Sequence, residues 1–208
     1  MKVITLVLGG LQVNTYFYYD EKHMEGVVID PGDDMRVIQF IEKNNLKLAA
    51  VLLTHGHFDH IEGISLLRKH SDAPVMIHAD ETPIISDPSL NGSNAMSVRP
   101  RAVTPDAQLT DGQTIKFRGT ELAVIHTPGH SPGGVCFYDA KRKILFSGDT
   151  LFQESVGRSD FTFGDGKLLE QSIINKLFVL PDEVVVYPGH GQPTTIKHEK
   201  AHNPFINL

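Results

Sequence analysis

The sequence is poor in the residues that mark secreted and membrane proteins. It has one cysteine, Cys136, and no tryptophan. A single cysteine has no partner for an internal disulfide, so the chain needs no oxidising compartment and we expect a cytoplasmic protein. No run of about 18 apolar residues occurs, so we predict no membrane-spanning helix and no membrane partner. The short apolar run over residues 3–8 lacks the cleavage site of a signal peptide and is interpreted as a first strand.

Basic residues are also in short supply. Lysine and arginine total 19 against 25 aspartates and glutamates, for a formal net charge of −6. This balance lacks the surplus of basic residues that is typical of nucleic-acid-binding proteins, so we expect no nucleic-acid partner and disfavour a nuclease. The 208 residues are 40% hydrophobic, which is enough to bury a core. Because no break in composition marks a boundary, we predict one domain over residues 1–208.

Short β-type runs dominate the pattern, and helical periodicity appears in three places. β-branched and aromatic residues predict strands over residues 27–29, 49–53, 74–77, 114–117, 122–125, 134–138, 144–146 and 184–187. Apolar residues at helical spacing predict helices over residues 34–44, 61–69 and 167–178. This alternation predicts an α/β protein with mixed sheets and outer helices. Residues 82–105 are interpreted as a long loop, either a functional lid or a surface excursion.

Histidine is the residue in excess, with 11 copies. The apolar run over residues 49–53 leads directly into His55, His57, Asp59 and His60. Residues two apart in an extended chain point to the same side, so His55, His57 and Asp59 can converge. Neutral imidazole and carboxylate are ligands for zinc, and also for iron and manganese. This segment therefore predicts a metal site.

Three more apolar runs each lead into one further potential ligand: His130, Asp149 and His190. Ligands commonly bind at the carboxyl ends of strands in open α/β sheets, so these side chains can meet the first four. Seven candidates exceed the three or four ligands of one tetrahedral zinc. They are the right number for two divalent metal ions, and Asp149 is the natural bridge because a carboxylate has two oxygens.

In this order the residues resemble the five-part motif of the metallo-β-lactamase superfamily. The run from His55 to His60 and the later His130, Asp149 and His190 match it, and Asp30 matches its first part. The resemblance covers residues 14–190, nearly the whole chain. It implies an αββα four-layer sandwich of two mixed β-sheets flanked by helices.

Within that superfamily the chain looks like the short bacterial proteins similar to glyoxalase II (hydroxyacylglutathione hydrolase). Residues 54–60, 147–152, 156–161, 187–191 and 202–205 carry this finer resemblance. It implies a metal-dependent hydrolase of S-lactoylglutathione-like thioesters, in which a metal-bridging hydroxide releases a hydroxy acid and a thiol. Full-length glyoxalase II enzymes continue into a C-terminal helical domain with basic glutathione contacts. Here the sequence stops soon after His190, so we expect those contacts to be missing.

The resemblance also assigns a role to each residue. Its ligand sets are His55, His57 and His130 for one metal and Asp59, His60 and His190 for the other, with Asp149 bridging. Asp59 is the catalytic candidate, since it would also orient the hydroxide, and Asp30 would orient a ligand histidine. The favoured cofactor is a pair of Zn²⁺ ions, with iron and manganese as alternatives. Arg158 is the candidate for binding an anionic part of the substrate, and the alternative is a surface ion pair with Asp160 or Glu154.

Other functions of the same fold stay open. A persulfide dioxygenase would use one iron on His55, His130 and Asp149, and a lactonase is a further alternative. β-Lactam hydrolysis is disfavoured because no export signal appears and position 149 holds a carboxylate. A non-catalytic metal-binding module is disfavoured by the intact ligand set. The other histidines are interpreted as surface or packing residues, and Cys136 as inert. The metal, the acyl group and the oligomeric state are left undetermined.

Overall fold

The fold is described for residues 1–32, 35–96 and 101–206 of a computed structural model. Its internal contacts divide the chain into two compact units, Met1–Gln108 with Phe117–Gly119, and Leu109–Lys116 with Thr120–Leu208. The described residues form two six-stranded sheets, and both contain parallel and antiparallel pairs. Helices accompany both sheets. The predicted fold class, α/β with two mixed sheets flanked by helices, is confirmed.

The first sheet places the ends of two parallel strands side by side. Its strands, in spatial order, are β1 (Lys2–Leu8), β2 (Val13–Asp20), β3 (Glu25–Ile29), β4 (Lys47–Leu52), β5 (Val75–His78) and β6 (Ala107–Leu109). Strands β3 and β4 pair in parallel, and the apolar sequence of β4 is typical of a strand buried on both faces. Asp30 follows β3 and Thr54 follows β4, so both residues lie at the same edge.

The helices of the first unit are α1 (Met35–Asn44), α2 (Phe58–Ile61), α3 (Ile64–Leu67) and α4 (Thr82–Ser86), with a 3₁₀ turn at Ala79–Glu81. Helix α1 buries its predicted apolar face of Val37, Ile38 and Ile41. It ends where Asn45 adopts a left-handed conformation with φ of 49°. Asp34, the predicted first residue of that helix, lies outside the described residues.

Two predictions about this unit are wrong in detail. The single helix predicted over residues 61–69 is two short helices, α2 and α3, because the Gly63 N–H donates to the Pro31 carbonyl (2.8 Å) instead of continuing a helix. The loop predicted over residues 82–105 begins with α4, which has proline in its first turn. Residues 97–100 of that loop lie outside the described ranges.

The second sheet repeats the arrangement of parallel strand ends. Its strands are β7 (Thr114–Phe117), β8 (Thr120–His126), β9 (Val135–Asp139), β10 (Ile144–Gly148), β13 (Val185–Pro188) and β14 (Thr194–Thr195). A separate hairpin joins β11 (Leu151–Phe152) to β12 (Ser155–Val156). Strands β10 and β13 are parallel, and the Gly189 N–H donates to the Gly148 carbonyl (2.8 Å). This bond joins the loops that carry Asp149 and His190.

The helices of the second unit are α5 (Gly166–Ser172), a π-helical segment at Ile173–Leu177, and α6 (Ile196–His202). The helix predicted over residues 167–178 therefore exists, but its second half has the wider π geometry. Leu169, Ile173 and Leu177 are buried in a core shared with Leu145 and Val186. Among the described residues, no helix is long and apolar enough to cross a membrane.

Candidate metal centre

The first unit gathers four candidate ligands in the loop after β4 and in α2. The His55 ring lies against the rings of His57 and His60, with centroid distances of 4.7 and 4.1 Å. Asp59 Oδ2 lies 3.6 Å from His60 Nε2. His55, Asp59 and His60 are buried and His57 is half-buried. The structure thus brings together all four side chains that the sequence pattern selected from this segment.

Thr54 determines which nitrogen of His55 carries the proton. Its hydroxyl donates to Asp30 Oδ2 (2.7 Å) and lies 3.0 Å from His55 Nδ1. The hydroxyl has a single proton, which it donates in the hydrogen bond to the Asp30 carboxylate. Its oxygen must therefore accept the hydrogen bond from His55 Nδ1–H. His55 therefore keeps Nε2 unprotonated, which is the form that binds a metal ion.

Asp30 serves two ligand histidines at once. Its Oδ1 accepts the Thr54 N–H (2.8 Å), and its Oδ2 lies 3.0 Å from His60 Nδ1. The residue is buried and its backbone has a positive φ of 50°, which an aspartate tolerates better than most residues. This turn aims the carboxylate at both Thr54 and His60, so that the Nε2 atom of His60 is left facing Asp59.

The second unit groups His130, Asp149 and His190 around one carboxylate oxygen. Asp149 Oδ2 lies 3.7 Å from His130 Nε2 and 3.6 Å from His190 Nε2. These distances are too long for hydrogen bonds. Two ligand atoms about 2.1 Å from a shared tetrahedral ion are about 3.4 Å apart, which is close to the spacing seen here. One carboxylate oxygen near two histidines of different proposed ligand sets is compatible with a carboxylate shared by two metals through that oxygen.

A backbone carbonyl fixes the orientation of His130. Its Nδ1 lies 2.7 Å from the carbonyl oxygen of Arg158, which can only accept, so Nδ1 carries the proton and Nε2 is available to a metal. The approach depends on Gly157, because a Cβ there would lie 1.8 Å from the Asp149 carbonyl oxygen and 3.1 Å from His130 Nδ1. The sequence pattern indicates a role for the Arg158 side chain in this segment but gives no sign of the role of its backbone carbonyl.

The Arg158 side chain is directed to a neighbouring aspartate. Its Nε and Nη2 lie 2.9 and 3.2 Å from the two carboxylate oxygens of Asp160, and the side chain is 74% exposed. Hydrogen bonding to Asp160 raises the pKa of the guanidinium. The guanidinium also lies over the Phe161 ring, which itself contacts His130 edge-on at 5.3 Å. The substrate contact expected of Arg158 stays a prediction.

Residues outside the ligand pattern have structural partners. Cys136 is buried, its Sγ lies 3.4 Å from Thr127 Oγ1, and burial raises the pKa of its thiol to about 11. His23 pairs with Asp20, and His198 pairs with Glu154 and stacks on His202. With a pKa of about 11, the Cys136 thiol stays protonated at neutral pH, which agrees with an inert Cys136.

The donor chemistry of these residues fits divalent transition metals. All seven candidates belong to groups of histidine and aspartate side chains whose ligand atoms could hold a metal ion. Imidazole nitrogen with carboxylate oxygen is the donor set of zinc and of non-haem iron. With the proton on Nδ1, His55 and His130 both present an unprotonated Nε2, which is the form of imidazole that binds such an ion.

Comparison with known proteins identifies one family. A family model described as the metallo-beta-lactamase superfamily matches residues 8–190. Hydroxyacylglutathione hydrolase GloC of Haemophilus influenzae is 35% identical over 211 residues, covering 100% of this chain and 99% of that protein. The match therefore runs from end to end on both sides.

Three solved structures of differently named proteins have the same fold as this chain. The crystal structure of BLEG-1 B3 metallo-beta-lactamase has a TM-score of 0.94 and 41% identity, with 100% of both chains covered. TTHA1623 in a di-iron-bound form has a TM-score of 0.87 and 38% identity, covering 98% of this chain and 100% of that one. ETHE1 from Myxococcus xanthus has a TM-score of 0.81 and 30% identity, covering 98% and 84%.

Proposed function

The chain belongs to the metallo-β-lactamase superfamily, and we propose that it is a dinuclear metallohydrolase that cleaves hydroxyacyl thioesters of glutathione or a similar small thiol. The proposed ligands are the two sets that the family resemblance implies, with Asp149 shared between the metals. The protein acts on a small molecule, without a nucleic-acid or membrane partner, and we place it in the cytoplasm.

The position of the Asp149 carboxylate is the main support for two metals. One oxygen stands at nearly equal distances from His130 and His190, which are assigned to different ions. A centre with one metal on His55, His130 and Asp149 would give His190 no ligand role. The di-iron-bound form of TTHA1623, a protein 38% identical to this chain, also supports a dinuclear centre.

The proposed reaction needs few protein groups beyond the ligands. When bound, two divalent ions lower the pKa of water and polarise a carbonyl oxygen. Asp59 accepts a hydrogen bond from the attacking water and so aims it at the thioester carbon. Asp30 and Thr54 hold His55, and the Arg158 carbonyl holds His130, in the tautomer that binds a metal through Nε2. A thiolate leaves readily near neutral pH, so this substrate class needs no general acid.

The test combines metal analysis with a substrate panel. Protein purified without chelator or affinity metal is assayed for zinc, iron and manganese, then for turnover of S-lactoylglutathione and of lactoyl esters of simpler thiols. We expect about two metals per chain and turnover of the thioesters. His190→Ala should lose metal and turnover, whereas His23→Ala, at an exposed histidine paired with Asp20, should match the wild type.

Two relatives define the competing outcomes. ETHE1 is 30% identical to this chain, and the sequence alternative of a persulfide dioxygenase predicts one iron per chain and oxygen uptake with a glutathione persulfide. The similarity to BLEG-1, named as a B3 metallo-beta-lactamase, makes β-lactam turnover the other comparison. If the metal content reaches a plateau at one per chain and only iron supports activity, the persulfide dioxygenase would replace the thioesterase as the proposed function. Turnover of β-lactams but not of thioesters would replace it by a lactamase.

A further inference from the structure

Glu81 is a buried acidic residue that the proposed reaction leaves unused. It ends the 3₁₀ turn Ala79–Glu81 and has no exposed surface. Its Oε2 accepts the N–H of Gly56 at 2.7 Å. A buried carboxylate is costly unless hydrogen bonds or charges compensate for its lost hydration. The carboxylate of Glu81 therefore needs a reason for its buried position, and its partner Gly56 lies between the proposed ligands His55 and His57.

The ligand loop lies directly against the segment that carries Glu81. A Cβ on Gly56 would lie 3.0 Å from Glu81 Oε2 and 3.1 Å from the backbone nitrogen of Ile85 in α4. A second bond follows two residues along the loop, where the Phe58 N–H donates to the Asn91 carbonyl at 3.0 Å. Residues 79–91 thus provide acceptors for two backbone N–H groups of the loop.

These contacts complement those of Asp30. Thr54, which donates to Asp30, orients the imidazole ring of His55 through its Nδ1 atom, and Asp30 Oδ2 lies 3.0 Å from His60 Nδ1. Glu81 instead acts on the peptide between His55 and His57. At 2.7 Å this contact is at the short end of the N–H···O range, so it restrains the orientation of that peptide.

We propose that Glu81 is a positioning residue for the metal centre, whose carboxylate fixes the Gly56 peptide so that His55 and His57 can bind the same ion. This inference rests on the proposed metal centre. It requires no contact between Glu81 and substrate. Partners that orient ligands from outside a metal site typically change metal affinity about 10–100-fold when they are removed.

The experiment measures metal binding rather than turnover. Wild type and the variants Glu81→Ala, Glu81→Gln and Glu81→Asp are stripped of metal. Each is then titrated with Co²⁺ against a competing chelator, and the visible spectrum of bound Co²⁺ is recorded. Glu81→Ala should lose at least about tenfold in affinity and show an altered spectrum. Glu81→Gln keeps an acceptor oxygen in place and should recover most of the loss, and the shorter Glu81→Asp should recover less.

Asp139 offers a matched control for the loss of a buried carboxylate. It is also buried and accepts a backbone N–H, from Arg142 at 2.9 Å, but it is the last residue of β9 and pairs with Ile144 at the start of β10, at the opposite end of that strand from Asp149. Asp139→Ala should lower the melting temperature and leave the Co²⁺ affinity and spectrum unchanged.

Two results would overturn the role of Glu81. One is wild-type Co²⁺ affinity and spectrum in Glu81→Ala, or in Glu81→Asp if the alanine variant does not fold. The other is an equal loss of affinity in Asp139→Ala, which would show that any destabilised variant binds metal poorly. Failure of the wild type itself to bind Co²⁺ would instead remove the proposed metal centre, and the role of Glu81 with it.

Discussion

At the scale of single residues, the structure specifies where the protons of two ligand histidines lie. The acceptor is the Thr54 hydroxyl for His55 and the Arg158 carbonyl for His130. Both partners hold the proton on Nδ1, so the metal-binding Nε2 atoms are preorganised before any ion arrives. Preorganisation of this kind favours metal binding, because no tautomer has to change when the ion binds.

Thr54 can be tested by a substitution that keeps its shape. In Thr54→Val the hydroxyl is replaced by a methyl group, so Asp30 loses a donor and His55 Nδ1 loses its acceptor. We expect metal affinity to fall about 10–100-fold, measured by competition with a chelator. Thr54→Ser restores the hydroxyl and should bind metal nearly as well as the wild type. Equal affinities for the valine and serine variants would contradict a role for the hydrogen bonds that connect His55, Thr54 and Asp30.

Asp149 provides a sharper test of the shared carboxylate. Asp149→Asn keeps the size of the side chain but removes its charge and one ligand oxygen. If the carboxylate bridges, the variant should lose more affinity than the roughly 10–100-fold typical of an outer partner, and turnover should fall with it. Circular dichroism should still show a folded protein. Retention of two metals and near-normal turnover would rule out the bridge.

At the scale of elements, Asp111 links three parts of the second unit. It precedes β7, accepts the N–H of His126 at the end of β8 (2.8 Å), and pairs with Lys176 of the π-helical segment (3.0 Å). Burial alone would raise the pKa of Asp111, but the hydrogen bonds from His126 and Lys176 outweigh burial, and the pKa is lowered. The ionised form therefore contributes to the stability of this unit.

The sign of this shift predicts a pH dependence. Because the folded-state pKa is below the unfolded value of about 3.9, the contribution is fully present above that pH and is lost as the pH falls through the folded-state pKa. Asp111→Asn should therefore lower the melting temperature at pH 7 and progressively less below about pH 4. The side chain is half exposed, so we expect less than about 1 kcal/mol. A difference between variant and wild type that is constant down to acidic pH would exclude the charge as its cause.

At the scale of the whole molecule, metal binding should stabilise the fold. Both ligand groups collect buried or half-buried histidines and aspartates whose placement costs hydration, and a bound ion compensates for that cost. A ligand present at 1,000 times its dissociation constant adds about 4 kcal/mol of stability. Removal of metal with a chelator should lower the melting temperature, and Zn²⁺ should restore it where Ca²⁺ does not. An unchanged melting temperature after confirmed metal removal would argue against ligation by these residues.

The sequence predicted much of this molecule because local patterns coincide with its main features. Apolar runs that end in His55, Asp149 and His190 are strands in the structure, and the fold class follows from their alternation with helices. The break between α2 and α3 was missed because it arises from a bond between Gly63 and Pro31, which are distant in sequence. Glu81 was missed for the same reason, since nothing near it in the sequence links it to Gly56. Roles that depend on backbone atoms, such as that of the Arg158 carbonyl, cannot be predicted from the type of the residue that carries them.

The π-helical segment after α5 has a consequence for how this chain can vary in length. A π turn holds one residue more than an α turn, and its most exposed position here is Asn175. Upstream of it, Ser172 Oγ donates to the Pro128 carbonyl (2.7 Å) and so anchors the loop that leads to His130. A deletion at Asn175 can be absorbed by closing the π turn into an α turn, while Ser172 and that loop keep their places. We therefore expect homologous chains to gain or lose a residue at this helix more readily than in the segments that carry the ligands.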